Sequence, residues 1–255
     1  MAVKIAVANQ KGGVGKTTTA ICVAEELIRR GKRVLFIDTD SQCNSTSFFG
    51  AKTEDTSTML DILCGDMDAK ECIQHTENGN IIPSDKELRD AENMVKNDER
   101  RFSHLKRSCR SIENDYDYII IDTPPVIGVT LKNVLGYANK IIIPVEESGW
   151  SLQGIMDFSD AIDLARDNNE SLEVSGILIV KSKKNTNKSK RIGELADKLA
   201  EKLSCGVFPV KIRESVKCAE ALTEYYVPLH EYDKSCTTQL DYEQFVDILL
   251  EREGN

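Results

Sequence analysis

Short apolar runs recur along the chain, and each ends in a charged or glycine-rich tail. Residues 3–8, 33–37, 81–83, 118–121, 140–145 and 174–180 are built from Val, Ile, Leu, Ala and aromatic side chains with little alternation. Runs of that length and composition predict strands buried on both faces, as in a parallel sheet. Between them the apolar positions recur at helical spacing. Ala20, Ile21, Ala24, Leu27 and Ile28 mark a helix over 17–30, and Leu152, Ile155, Met156, Ile162 and Ala165 mark another whose apolar side faces the core. Shorter helical patterns fall at 58–63 and 85–95, and the basic stretch 100–110 reads as the solvated face of a helix. The last helix, over 235–252, has an apolar side of Tyr242, Phe245, Val246, Leu249 and Leu250 and an acidic side that includes Asp241, Glu243 and Asp247.

Strand and helix alternate from the start of the chain to about residue 180. That pattern predicts an α/β fold, a doubly wound, mainly parallel sheet flanked by helices with right-handed crossovers. No linker, internal repeat or low-complexity tract divides it, so residues 1–255 are expected to form a single domain, with no DNA-binding extension before the first strand.

The first strand runs into Asn9-Gln10-Lys11-Gly12-Gly13-Val14-Gly15-Lys16-Thr17-Thr18, and a helix leads out. Strand, glycine loop and helix together make a phosphate grip: backbone N–H groups freed by glycine converge at a helix N-terminus and hold phosphate oxygens. Lys16 adds a positive charge and Thr17 a hydroxyl for Mg²⁺. The pattern G-x-x-x-x-G-K-[ST] is met except at its first glycine, which is Gln10, and Lys11 is an additional lysine at the loop entrance. Asp38 and Asp40 follow the second strand, and Asp122 ends the run at 118–121. Carboxylates at the carboxyl ends of parallel strands face the ligand crevice, where they can meet phosphates and a metal.

Composition narrows the partners. With 40% hydrophobic residues and no membrane-length apolar run, the chain reads as a cytosolic globular protein without a signal peptide. Eight cysteines occur without a C-x-x-C pair, beside three histidines, and are read as scattered reduced thiols. The net charge of −9 disfavours a wholly basic surface, yet residues 181–217 carry eleven basic side chains against four acidic ones. A localised patch of that kind suits non-specific DNA binding through counterion release, or is simply a solvated face.

The blocks 11–18, 34–42 and 118–125 together resemble the ParA/Soj type of ATPase within the superfamily that carries this altered phosphate loop. The resemblance implies a P-loop NTPase fold and a homodimer formed around ATP and Mg²⁺, with ATP contacted by Lys11, Gly12, Gly13, Val14, Gly15, Lys16, Thr17 and Thr18. It implies that Lys11 reaches the partner's nucleotide, Lys16 the β- and γ-phosphates, and Asp40 the attacking water. Thr17, Asp38 and Asp122 would hold Mg²⁺, the aspartates through water. It further implies slow hydrolysis of ATP to ADP and phosphate, stimulated by a ParB-like centromere-binding partner, and non-specific DNA binding that moves a plasmid or chromosome. Such a protein is cytoplasmic and nucleoid-associated. Lys181, Lys184, Lys188, Arg213 and Lys217 are the candidate DNA contacts. The alternative is a MinD-like division-site ATPase bound to membrane by a basic C-terminal helix, which the acidic tail disfavours. The chain departs from the ParA pattern at Ser41, where proline is usual, at Cys43, where glycine is common, and at Arg213-Glu214, in place of Pro-Arg.

Overall fold

Eight strands form one sheet with the order β3-β4-β2-β5-β1-β6-β7-β8, in the computed structural model that describes residues 1–65, 67–146, 152–183 and 187–253. Of these, residues 152–155, 187–191 and 253 are described by their backbone alone. The strands are β1 (Val3–Val7), β2 (Val34–Asp38), β3 (Gln74–Thr76), β4 (Gly79–Ile82), β5 (Tyr118–Asp122), β6 (Lys140–Glu146), β7 (Glu173–Ser182) and β8 (Val207–Arg213). All pairings are parallel except β3 with β4, a short antiparallel hairpin at one edge. The helices are α1 (Lys16–Arg29), α2 (Asn44–Phe48), α3 (Met59–Gly65), α4 (Ala69–Cys72), α5 (Ala91–Met94), α6 (His104–Ser108), α7 (Val129–Tyr137), α8 (Leu152–Arg166), α9 (Asn187–Lys202), α10 (Val216–Glu220), α11 (Leu229–Tyr232) and α12 (Thr237–Glu253).

The apolar runs divide their side chains between the two faces of the sheet. Ala6, Leu35, Ile37, Ile119, Ile121, Ile141 and Ile143 enter one core with α3, α6, α7 and α8. Ile5, Val7, Val34, Phe36, Ile120 and Ile142 enter the other, beneath α1 and α12. Strands covered on both sides need no polar alternation, which is why they read as continuous apolar runs. Tyr242, Phe245, Val246 and Leu249 of α12 are all buried in the second core. Burying four such side chains contributes about 1.5–3 kcal/mol each, far more than the ion pairs at the helix rim, at about 0.2–1 kcal/mol each. The apolar side of α12 is therefore committed to the domain.

Several local expectations change. Met156 lies on α8 with 51% of its surface exposed rather than in the core, while Ile162 is buried and Ala165 packs against it; Leu152 and Ile155 have side chains outside the described residues. The pattern at 85–95 splits into a 3-10 turn (Lys86–Asp90) and α5. In the basic stretch, only His104–Ser108 is α-helical, and His104 and Leu105 are buried. Residues 44–46, polar and outside any apolar run, open α2. Strand β8 has no counterpart among the apolar runs because it alternates, burying Phe208, Val210 and Ile212 and exposing Pro209 and Lys211. A proline can sit there because β8 is the other edge of the sheet.

Candidate nucleotide site

Strand order reverses about β1, since the chain passes from β1 to β2 and later fills in β5 on one side and β6 on the other. Ligands of open α/β sheets bind at such a switch point, outside the carboxyl ends of the strands. The glycine loop leaves β1 there. Gly13 and Gly15 take φ of 71° and 91°, left-handed conformations that a side chain would strain, and Gly15 caps the start of α1. Asn9 anchors the loop entrance: its Nδ2 donates to the Pro144 carbonyl at 2.7 Å, and its Oδ1 accepts from the Lys11 N–H at 3.0 Å.

Lys16 is buried and its Nζ donates to the Lys11 carbonyl at 3.2 Å. Burial lowers its pKa, and the charges of Asp122 and Asp40 partly oppose that. Lys11 is turned back onto its own chain, with Nζ bonded to Glu146 at the end of β6. Lys181, at the end of β7, donates to the Gly13 carbonyl at 2.6 Å and lies 3.5 Å from the other oxygen of Glu146.

Parallel register brings the acidic strand ends together, with Asp38 paired to Asp122 across β2 and β5 and Val7 to Asp122 across β1 and β5. Both aspartates are fully buried. Asp38 is closed off by its neighbours: Oδ2 accepts from the Thr46 N–H at 2.8 Å and from the Thr46 hydroxyl at 2.7 Å, and Oδ1 accepts from the Asp40 N–H at 3.0 Å. Asp122 Oδ2 accepts from the Ser45 hydroxyl at 2.8 Å, but Oδ1 is buried with no hydrogen-bond partner among the described residues. Burial pushes the pKa of both carboxyls up. The charge of Asp38 raises Asp122 further, and the Thr17 and Ser45 hydroxyls offset part of the rise. Asp40 is partly exposed in the cleft wall, its Oδ1 accepting from the Gln42 N–H at 3.0 Å.

The cleft over these groups holds about 920 Å³, enough for a nucleotide. It is lined by Gly12, Gly13 and Gly15 to Thr18 of the loop. One wall is Asp40 with the start of α2, and another runs through Arg89, Glu92 and residues 124–130; Leu222, Thr223 and Tyr226 close the far end. A buried carboxylate oxygen without a partner, next to a threonine hydroxyl, fits a hard cation that takes oxygen ligands. Among the described residues no cluster of His, Cys, Asp and Glu forms a ready cage. That suits Mg²⁺, which uses one or two protein oxygens and completes its shell with water and phosphate.

The basic segment is less unified than its sequence. Arg213 makes a bidentate pair with Asp241 of α12, Nε donating to Oδ2 at 2.8 Å and Nη2 to Oδ1 at 2.5 Å, and also donates to the Thr237 carbonyl. Lys217 pairs with Asp233, and Lys183 with Glu214 at 3.0 Å. Lys181 belongs to the loop, Lys184 lies outside the described residues, and Lys188 is described by its backbone alone in α9. The sequence reasoning did not find Ser45, Thr46 or Glu146. Ser45 and Glu146 act on partners 77 and 135 residues away that only the sheet order brings near, and Thr46 reaches back eight residues to Asp38 because α2 follows β2 closely.

A family model described as an AAA domain matches residues 2–174. The sporulation initiation inhibitor protein Soj of Bacillus subtilis is 35% identical over 216 residues, covering 83% of this chain and 85% of Soj. The chromosome partitioning protein ParA of Myxococcus xanthus is 32% identical over 243 residues, 92% of this chain and 84% of the relative. A putative plasmid partition protein of Borrelia burgdorferi, solved with AMPPNP, matches with a TM-score of 0.78 at 28% identity, covering 98% of this chain and 99% of the other. Cobyrinic acid a,c-diamide synthase of Mycobacterium smegmatis, solved with an ATP analog and magnesium, matches with a TM-score of 0.85 at 26% identity, covering 100% and 97%.

Proposed function

The chain belongs to the ParA/Soj family of P-loop ATPases, and on that premise we propose that it is a MgATP-dependent dimerising ATPase that binds DNA non-specifically and partitions a plasmid or chromosome. The observation that carries the nucleotide reading is Asp122 Oδ1, a buried acceptor without a partner, beside Thr17 and a left-handed glycine loop. When bound, Mg²⁺ neutralises charge on the phosphates. Thr17 would contribute a hydroxyl ligand, Asp122 would hold the ion through water, and Asp38, already engaged by Thr46, would support the metal shell from the end of β2. Lys16 contacts the β- and γ-phosphates, and the N–H groups of residues 12–17 line the cradle. Asp40 orients the attacking water.

Lys11 supplies positive charge to the nucleotide of a second subunit, so each site is completed only in the dimer. Catalysis by positioning and electrostatics is slow while a donor is missing, and a ParB-like partner stimulates it. The dimer works in the cytoplasm on the nucleoid, with the basic segment meeting DNA phosphates. No described helix is long and apolar enough to cross a membrane, and the buried apolar side of α12 gives no support to the division-site reading.

The test is a gel shift with unrelated duplex DNA, with and without MgATP. Retardation should require MgATP and weaken steeply with salt, and Asp40→Ala should hydrolyse ATP about 10²-fold more slowly and keep the DNA bound. Retardation that is indifferent to nucleotide and salt would overturn the DNA reading.

A further inference from the structure

Lys181 sits in the segment whose charge suggests nucleic acid, yet its ammonium faces the phosphate loop. The backbone at Lys181 has a left-handed φ of 52°, within the register shift between Ile179 and Ser182 where β7 pairs with β8. That conformation is uncommon for a residue with a side chain and persists only where the surroundings hold it. Here the hold is the 2.6 Å bond from Nζ to the Gly13 carbonyl, with Glu146 at 3.5 Å as a counter-charge.

Gly13 needs such a hold. No atom outside its immediate neighbours lies within 4 Å of where its side chain would begin, so packing gives little hold on the Gly13 side of the peptide, whereas Val14 on the other side is fully buried. The Gly13–Val14 peptide is planar and trans, so its C=O and N–H point in opposite directions. A carbonyl held by Lys181, which lines the cleft beside Gly13, therefore fixes the orientation of the whole peptide plane. A charged donor makes this one of the stronger kinds of hydrogen bond, about twice a neutral one.

We propose that Lys181 is a positioning residue of the phosphate loop, fixing the Gly13–Val14 peptide plane through the Gly13 carbonyl so that the loop is set to receive a nucleotide phosphate. Resting on the MgATP reading, the proposal removes Lys181 from the DNA contacts and gives the loop a third lysine with a task different from those of Lys11 and Lys16. Glu146 joins two of them, since its carboxylate meets both Lys11 and Lys181.

The experiment compares wild type, Lys181→Met and Lys181→Arg by titration with a fluorescent ATP analogue and Mg²⁺, by steady-state hydrolysis and by thermal melting without nucleotide. Losing a charge-assisted bond should weaken nucleotide binding about tenfold in Lys181→Met. KM should rise by more than kcat falls, the nucleotide-free melting temperature should stay within about 2 °C, and Lys181→Arg should recover most of the affinity. Unchanged nucleotide affinity in Lys181→Met would overturn the proposal, most directly if the slope of log affinity for DNA against log salt also fell by about 0.9, the signature of one lost phosphate contact. Failure of the wild type itself to bind MgATP would instead overturn the functional reading on which the proposal rests.

Discussion

Asp122 and Glu26 are both carboxylates withdrawn from water, at 0% and 2% exposure, and the chain surrounds them in opposite ways. Glu26 lies on α1 inside a cage of donors. Arg29 meets it through Nε and Nη2, both at 3.0 Å, Arg30 through Nε at 2.8 Å, and Gln239 at 3.4 Å. Asp122 has hydroxyl neighbours, an oxygen with no partner, and a second buried carboxylate beside it. A buried charge costs several kcal/mol unless it is paired. At Glu26 that cost is met within the fold. At Asp122 the described residues leave it unmet at Oδ1, and in the proposed function a divalent cation on a nucleotide would meet it. Burial alone thus does not mark a functional carboxylate; burial with the pairing left incomplete does.

Asp122→Asn should produce the largest effect, because it removes the charge without changing the shape. ATP hydrolysis should fall about 10²-fold, as for loss of other preorganised electrostatic groups, while the nucleotide-free protein melts within a few degrees of wild type. Glu26→Gln should do the reverse. It leaves two arginines without their shared counter-charge and one acceptor oxygen, and because both are partly exposed the loss is about 2 kcal/mol, short of the 3–5 kcal/mol for a fully buried pair. Urea denaturation should read that loss, with nucleotide affinity unchanged. If Glu26→Gln impaired hydrolysis and Asp122→Asn impaired only stability, the contrast between the two sites would be reversed.

Glu25, the next residue along α1, sharpens the same point at a smaller scale. Burial pushes its carboxyl up from 4.5 to about 8; the Leu229 N–H opposes the rise, and the charges of Glu231, Cys218 and Glu26 add to it. In the fold it is protonated at neutral pH, whereas the unfolded chain ionises it near 4.5. The folded state therefore binds the extra proton, and stability falls as pH rises through this window. Between pH 6 and 7 the loss is up to about 1.4 kcal/mol. Glu25→Gln should flatten that slope, as seen by melting at pH 6 and pH 7; an unchanged slope would mean Glu25 is ionised in the fold.

The features legible in the sequence were those written locally. The loop from Gly12 to Thr18 and the aspartates 38, 40 and 122 each stand at the end of an apolar run, so the strand that carries them also announces them. The doubly wound sheet followed from the same runs, because strands covered on both faces have no polar alternation to hide them. Strand β8 was hidden for the converse physical reason: as an edge it alternates, tolerates Pro209 and carries Lys211 and Arg213 among its residues. Its basic side chains therefore read as part of a charged segment. The pairing of Arg213 with Asp241 could not be read either, since it joins β8 to α12 across 28 residues and turns a residue of the expected acidic side of α12 inward. Glu146 and Lys181 escaped for a related cause. Each ends a strand whose neighbour is set by sheet order, and sheet order is a tertiary fact.

In the proposed dimer Lys11, held by Glu146 in the single chain, leaves that partner to complete a second subunit's nucleotide site. Sedimentation velocity of wild type and Lys11→Ala, each with and without MgATP in the Asp40→Ala background that slows hydrolysis, tests it directly. The parent should be monomeric without nucleotide and dimeric with it, and adding Lys11→Ala should keep the chain monomeric in both. Dimerisation of the Lys11→Ala chain with MgATP to the same extent as the parent would contradict the account.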